Sequence, residues 1–331
     1  MIIKKDYENC INIMFNKLLS WFDNHAVNLN GYADISENQW HSIDWLRVVP
    51  FTLIHLACFA VVFVGFSWFA LGFAVALYLI RMFAITAFYH RYFSHRAFRT
   101  SRAFQFILAL IGATAVQRGP IWWASHHRHH HLYSDETEDA HSPVQHGFLW
   151  SHFGWFLSSK HFTAHTDNIK ELSKFAELRF LDRFDAIVPI LLAISIYMLG
   201  DWLGGHYSAL NTNGLQLLVW GFAISTVVLY HATFTVNSLA HVWGQRRYAT
   251  TDQSRNNFWI ALATLGEGWH NNHHHYPGSA KQGFYWWEVD LTYYGLKLLA
   301  MCGLIWDLRT VPISIRESRK IKPESGSLNP G

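Results

Sequence analysis

Four apolar stretches limit what this chain can fold into: residues 48–66, 68–88, 186–203 and 215–235. Each is close to the ~20 residues a helix needs to cross a hydrocarbon core of ~30 Å. In such a setting the backbone N–H and C=O groups must be satisfied by the helix itself. Charged residues make up 15% of the 331, against roughly a quarter in a typical soluble domain. The 16 Trp and 14 Tyr suit membrane–water interfaces. The expected architecture is all-α and integral to the membrane: four transmembrane helices under a polar, His-rich helical cap. Gly65 and Ser67 mark a tight turn between the first two spans, and residues 211–214 one between the last two. Arg81, roughly 20 Å along its helix from Trp68, is expected to snorkel to the far interface.

Around these spans the chain divides into an arm (1–44), a membrane domain (45–312) and a tail (313–331) expected to be disordered. Ile11, Met14, Phe15, Leu18, Leu19 and Phe22 recur at helical spacing over 7–22, which fits either an interfacial helix or a frayed arm. Residues 104–116 are too short to span, and 284–305 read as an interfacial helix. Cys10, Cys58 and Cys302 are scattered, so neither a disulfide framework nor a sulfur-ligated metal is indicated. The basic start MIIKKDYENC has no apolar core after it, so no cleaved leader is expected. A net charge of +3 gives no argument for nucleic acid.

More than half of the 22 histidines fall in four short stretches. His90 and His95 are five apart, ~140° around a straight helix, so they fit one metal only if the helix ends between them. In the tract 126–131, both His126/His129/His130 and His127/His130/His131 satisfy the i, i+3, i+4 rule that puts three rings on one face. His270, His273 and His274 satisfy it again, with His275 as an extra. His241 lies one turn after Asn237, where the fourth apolar run leads towards the third box. Two triads, a pair and His241 exceed the three or four ligands one zinc would take and suggest two metals, although imidazole alone does not select the element. Asp135, Glu136, Asp139 and Glu267 are candidates to orient rings through their second nitrogen. A shared metal site puts His90 and His241 on one side of the membrane, with an even number of crossings between them. The loop at 205–214 lacks Lys and Arg while 91–183 is rich in them, so the His side and both termini are expected to be cytoplasmic.

Six passages together resemble the membrane fatty acid desaturases, in their stearoyl-CoA (Δ9) branch: AFYHRYFSHRAF, WASHHRHHHLYSDETEDAHSP, HGFLWSHFGW, TVNSLAHVWG, GEGWHNNHHHYP and WWEVDLT. The resemblance covers roughly 45–310 and implies a register in the second box. One iron would take His90, His95, His127, His131 and His273; the other His130, His241, His270 and His274, with Asn237 acting through a water. His126, His129 and His275 are left out. It implies an O2-dependent reaction that places a cis double bond in a C16 or C18 acyl-CoA, with two external electrons and two waters released. Substrate contacts implied are Gln117 near the acyl carbonyl, Trp123, Trp155, Thr233 and Phe234 along a bent tunnel, and Ala74 and Tyr78 at its far end, setting chain length.

The chain also departs from the family pattern. Only Lys160 follows the GW motif where eukaryotic members carry a basic pair, and Ser125-His126 replace an Arg-Asp pair, with Arg118 as the compensating cation. An acyl-lipid is therefore the alternative carrier. With no HPGG-type haem motif, the electron donor is expected to be a separate ferredoxin, rubredoxin or cytochrome b5-like protein with its reductase, and the compact form suggests a bacterial plasma membrane. Two other readings share part of the pattern. A His-box hydroxylase of alkanes, sterols or carotenoids would give an alcohol, and a metal transporter would place its ligands at mid-membrane depth.

Overall fold

The computed structural model describes residues 18–24 and 42–321. Helix α1 (Trp45–Ala57) continues through a tightened turn to Val64. It is followed by α2 (Trp68–Phe83), whose wide turns run on to Ser94, then α3 (Arg102–Ala113), α4 (Pro120–Tyr133) and α5 (Ala176–Arg183). Beyond these come α6 (Ile187–His206), α7 (Gly214–His241, widened over Leu218–Ile224), α8 (His270–His275), α9 (Leu291–Met301) and α10 (Ile313–Glu317). Arg99–Thr100 pairs antiparallel with Ile305–Trp306, tying the segment after the first His box to the end of α9.

The all-α expectation holds. Among the described residues, three helices are long and apolar enough to cross a membrane: Trp68–Ser94, Ile187–His206 and Gly214–His241. The stretch expected as a first span is a shorter apolar helix, Val48–Val64, so the expected four becomes three by length and composition. His55 within it is not isolated. Its Nδ1 faces the Phe51 carbonyl at 2.8 Å and its Nε2 lies 3.3 Å from His231 on α7.

Arg81 does not snorkel. It is 1% exposed and donates to Thr226 (2.7 Å), to Ser225 and to the carbonyls of Leu77 and Thr114. The hydroxyls of α7 and the carbonyls around the guanidinium together give it a set of acceptors, so it is satisfied while buried. Residues 104–116 fall on α3, which buries Gln105, Leu108, Ala109, Gly112 and Ala113 against the body. Of 284–305, helix forms only at α9, where Asp290 caps the N–H of Tyr293 at 2.9 Å. Of the segment expected to be disordered, residues 313–321 are described, and 322–331 lie outside the described residues. Tyr248 pairs with Lys320 as an isolated bridge, and the Tyr248 hydroxyl donates to the Arg316 carbonyl at 2.9 Å. The proposed helix over 7–22 lies outside the described residues except for 18–22.

Candidate metal centre

The wide turns that end α2 settle how His90 and His95 meet. The helix does not stop between them. Over Ala84–Ser94 it opens to i→i+5 spacing, so residues five apart return to one face. The two rings lie 4.9 Å apart, and the His95 N–H donates to the His90 carbonyl. On α4 and α8 the regular i, i+3, i+4 geometry does the same for His127/His130/His131 and His270/His273/His274.

The rings form two clusters: His90, His95, His127, His131 and His273 in one, His130, His241, His270 and His274 in the other. Within each cluster the candidate ligand atoms lie within 4.8 Å of one another. The atoms that converge are Nε2. His95 meets His127 at 2.7 Å, His131 meets His273 at 2.9 Å, and His90 meets His273 at 3.0 Å. In the second cluster His241 meets His270 at 3.0 Å and His130 meets His274 at 3.3 Å. The clusters abut, with the His131 and His274 rings 4.5 Å apart.

The other nitrogen explains the orientation. His130 Nδ1 faces Asp139, His241 Nδ1 faces Asp135 and His274 Nδ1 faces Asp252, each at 2.9 Å, while His90 Nδ1 pairs with Glu267. A ring that gives its one proton to a carboxylate through Nδ1 presents a bare lone pair at Nε2. Lone pairs facing one another have no donor between them, and a cation is the partner that satisfies them; the donor set fits two ions bound by imidazole. Burial, followed by the neighbouring imidazoles, holds His95, His127, His131, His270 and His273 well below the usual range, which keeps the rings neutral and ligand-competent. Burial raises Asp135 and Glu267, yet the rings and hydrogen bonds around them outweigh it and hold each at about 2.

Other residues support this arrangement from around it. Arg128, inside the second box, donates to the Phe93 and Ser94 carbonyls (2.7 and 2.8 Å), to the Asn168 carbonyl and to Glu171, clamping α4 onto the end of α2. Arg91, 1% exposed, bridges Glu267 and Asp290 and donates to the Ala280 carbonyl. Gln282 donates to Glu267 at 2.8 Å. The three surplus histidines turn away. His126 Nε2 lies 3.0 Å from the Thr163 carbonyl, His129 stacks on His165 at 4.2 Å, and His275 stacks on Tyr248 at 4.0 Å. Glu136 is exposed and orients no ring, whereas Asp252, not anticipated, does.

A cavity of about 640 Å³ runs up to this centre, touching His127 and Asn237 at its inner end. Gln117, Arg118, Trp123, Trp155, Thr233 and Phe234 all line it; Lys160 does not. Gln117 donates to Thr233 at 3.0 Å. It sits between Val116 (φ 61°) and Arg118 (φ 70°), both left-handed, a strained backbone held by Tyr230 donating to the Val116 carbonyl at 2.6 Å. Trp155 stacks on Trp122 at 5.6 Å. A smaller cavity beside His90 and His270 is lined also by Met82, Ile85 and Thr86. Ala74 and Tyr78, the expected chain-length residues, line neither; the Tyr78 hydroxyl is bonded to the Ala263 carbonyl.

Residues 66–298 match the fatty acid desaturase family. The chain belongs to that family. It is 38% identical to an sn-1 stearoyl-lipid 9-desaturase of Anabaena variabilis, over 81% of this chain and 94% of that protein. It is 36% identical to an acyl-CoA 5-desaturase of Anemone leveillei, over 85% of this chain and 84% of that one. A palmitoyl-monogalactosyldiacylglycerol delta-7 desaturase of Arabidopsis thaliana is also 36% identical, over 82% and 71%. These relatives of the desaturase differ in double-bond position and in the carrier their names give.

Proposed function

We propose that this desaturase holds two iron ions on nine imidazoles and uses O2 to place a cis Δ9 double bond in a C16 or C18 acyl chain. The observation that carries the reading is the pair of Nε2 clusters at the inner end of an apolar cavity. His90, His95, His127, His131 and His273 would hold one ion, and His130, His241, His270 and His274 the other, with Asn237 reaching the second through a water. Iron there would supply O2 activation and removal of two hydrogens from adjacent methylenes, taking two electrons and two protons from outside and yielding two waters.

The chain's own part is to position the substrate and keep water out. Trp123, Trp155 and Phe234 would flank the acyl chain, and Gln117, fixed by Thr233, would address its carbonyl. No side chain need act as acid or base at the carbons. Arg118, expected to help hold coenzyme A, is occupied by Asp185 at 2.8 Å. That favours an acyl-lipid over acyl-CoA, and Lys160, away from the cavity, adds nothing to the coenzyme reading.

His90 lies near the end of α2 and His241 ends α7, and the abutting of their two clusters supports an even number of crossings between them, which α6 and α7 supply. With Val48–Val64 as a fourth, shorter crossing, the His boxes and both termini would face the cytoplasm of a bacterial plasma membrane. Electrons would come from a separate ferredoxin, rubredoxin or cytochrome b5-like protein and its reductase. Expression in a host lacking its own desaturase, followed by mass spectrometry of double-bond positions, tests the reading. A cis Δ9 monoene is expected. Saturated chains alone from folded, iron-loaded protein would refute it, and an alcohol in place of the alkene would point to a hydroxylase.

A further inference from the structure

The larger cavity does not end at the aromatic wall around Gln117. It continues outward between α1 and α6, where Leu53 and Ile54 line one side and Pro189, Ile190 and Ile194 the other. Leu53 is 54% exposed, Ile190 42% and Ile194 50%, so the residues that line the cavity also form an open rim. Both helices pack on α7, α1 on Leu218–Ile224 and α6 on Gly214–Ile224, and they approach each other only sparsely, which leaves a slot between them. Both rim helices are apolar. In a bilayer this slot faces hydrocarbon and not water.

On its polar side the slot is bordered by Phe22 and by Trp21, a residue of the type that settles at the headgroup level. Their turn is fastened to the end of α5, with the Asn24 N–H donating to the Arg183 carbonyl at 2.8 Å and the Asn24 side chain to the Asp182 carbonyl at 2.7 Å. The arginines here are neutralised within the protein. Arg118 is bonded to Asp185 (2.8 Å), Asn24 (3.1 Å) and the Phe162 carbonyl (3.1 Å), and Arg183 is paired through both its Nε and Nη2 with Asp23 (2.9 and 2.6 Å). A carrier bearing several phosphates would have to break these pairs. A chain esterified to a glycerolipid would leave them intact.

We propose that the substrate enters sideways, as an acyl chain still attached to a membrane glycerolipid, through the slot between α1 and α6. The headgroup stays at the interface beside Trp21, the chain slides past Leu53 and Ile190, and the ester carbonyl comes to Gln117. Methylenes exchange one hydrocarbon environment for another, so no exposed passage through the cap is required. The inference rests on reading the cavity as the acyl site of an acyl-lipid substrate and adds the route by which it enters.

Photolabelling of the full-length protein in liposomes tests it without turnover. One probe is phosphatidylcholine carrying a mid-chain diazirine; the other is the coenzyme A thioester of the same acyl chain. The lipid probe is expected to label peptides containing Gln117 or Thr233 and Phe234. Leu53→Trp and Ile190→Trp, two lipid-facing changes that fill the slot, are each expected to remove most of that interior labelling. The route is overturned if the lipid probe marks only outer helix faces while the thioester labels the interior equally in wild type and both variants. If neither probe reaches the interior, the assignment of the cavity to acyl chains falls along with the route.

Discussion

A single carboxylate shows how the histidines are made into ligands. Asp252 faces His274 Nδ1 at 2.9 Å and also accepts the Ser254 N–H at 2.8 Å, so the ring is fixed with Nε2 towards its cluster. Asp252→Asn keeps the shape and loses the charge. It is expected to weaken metal binding about 10–100-fold, measured by competition with a chelator, while Glu136→Gln changes nothing. The triads on α4 and α8 were legible in the sequence because i, i+3, i+4 spacing is a property of the helix itself. Asp252, Gln282 and Arg128 were not, because their partners lie elsewhere in the chain or, for Asp252, across a turn whose path local spacing does not give. Ala74 and Tyr78, expected to set chain length, share a helix with Met82, Ile85 and Thr86, which line the inner cavity where they do not. Met82→Ala is therefore expected to shift products towards longer chains in lipid analysis, and Ala74→Leu to leave their length unchanged.

The elements are held in register by buried polar contacts at their ends. Gly119 begins α4 without a capping side chain, and Asp182 of α5 supplies one from outside by accepting the Trp122 N–H at 2.7 Å. The approach is so close that a Cβ on Gly119 would lie 2.4 Å from the Asp182 backbone, so Gly119→Ala is expected to push α4 and α5 apart and lower the melting temperature. Burial, with Asp185 beside it, raises the Asp182 carboxyl to about 6 against the pull of the Trp122 N–H and Arg118. The unfolded value is about 3.9, so folding takes up a proton here, and this group's contribution is largest at low pH and declines as pH rises through the window between the two values. Asp182→Asn keeps an acceptor but has no proton to lose, so its melting temperature should lack that decline relative to wild type. Arg128→Met would orphan the carbonyls that end α2 and leave Glu171 without that partner. A loss of about 3 kcal/mol in folding stability is expected, read from denaturant unfolding. The sequence placed most helices from apolar periodicity. It could not show the widening of α2, which depends on which carbonyl each N–H selects, nor that Arg81 would find Ser225 and Thr226 across the helix pair.

At the scale of the whole molecule, distant parts of the chain converge on one point: the ends of α2 and α7, the middle of α4 and the short α8. The first two project from helices long and apolar enough to cross a membrane, so the fold joins an apolar cavity to a polar ring cluster. The family could be read from the order of the motifs, and the helical character of the fold from the apolar runs. The number of crossings could not be read from apolar length alone, because the Pro50-bearing first stretch is short and its His55 is satisfied by α7. The account stands on two metal ions sharing nine rings, and iron counted per chain in anaerobically purified protein tests it most directly. Two ferrous ions per folded chain are predicted, with one lost on His131→Ala paired with His273→Ala and none on His129→Ala paired with His275→Ala. One ion or none in folded wild-type protein, or two retained after the first pair of substitutions, would contradict it.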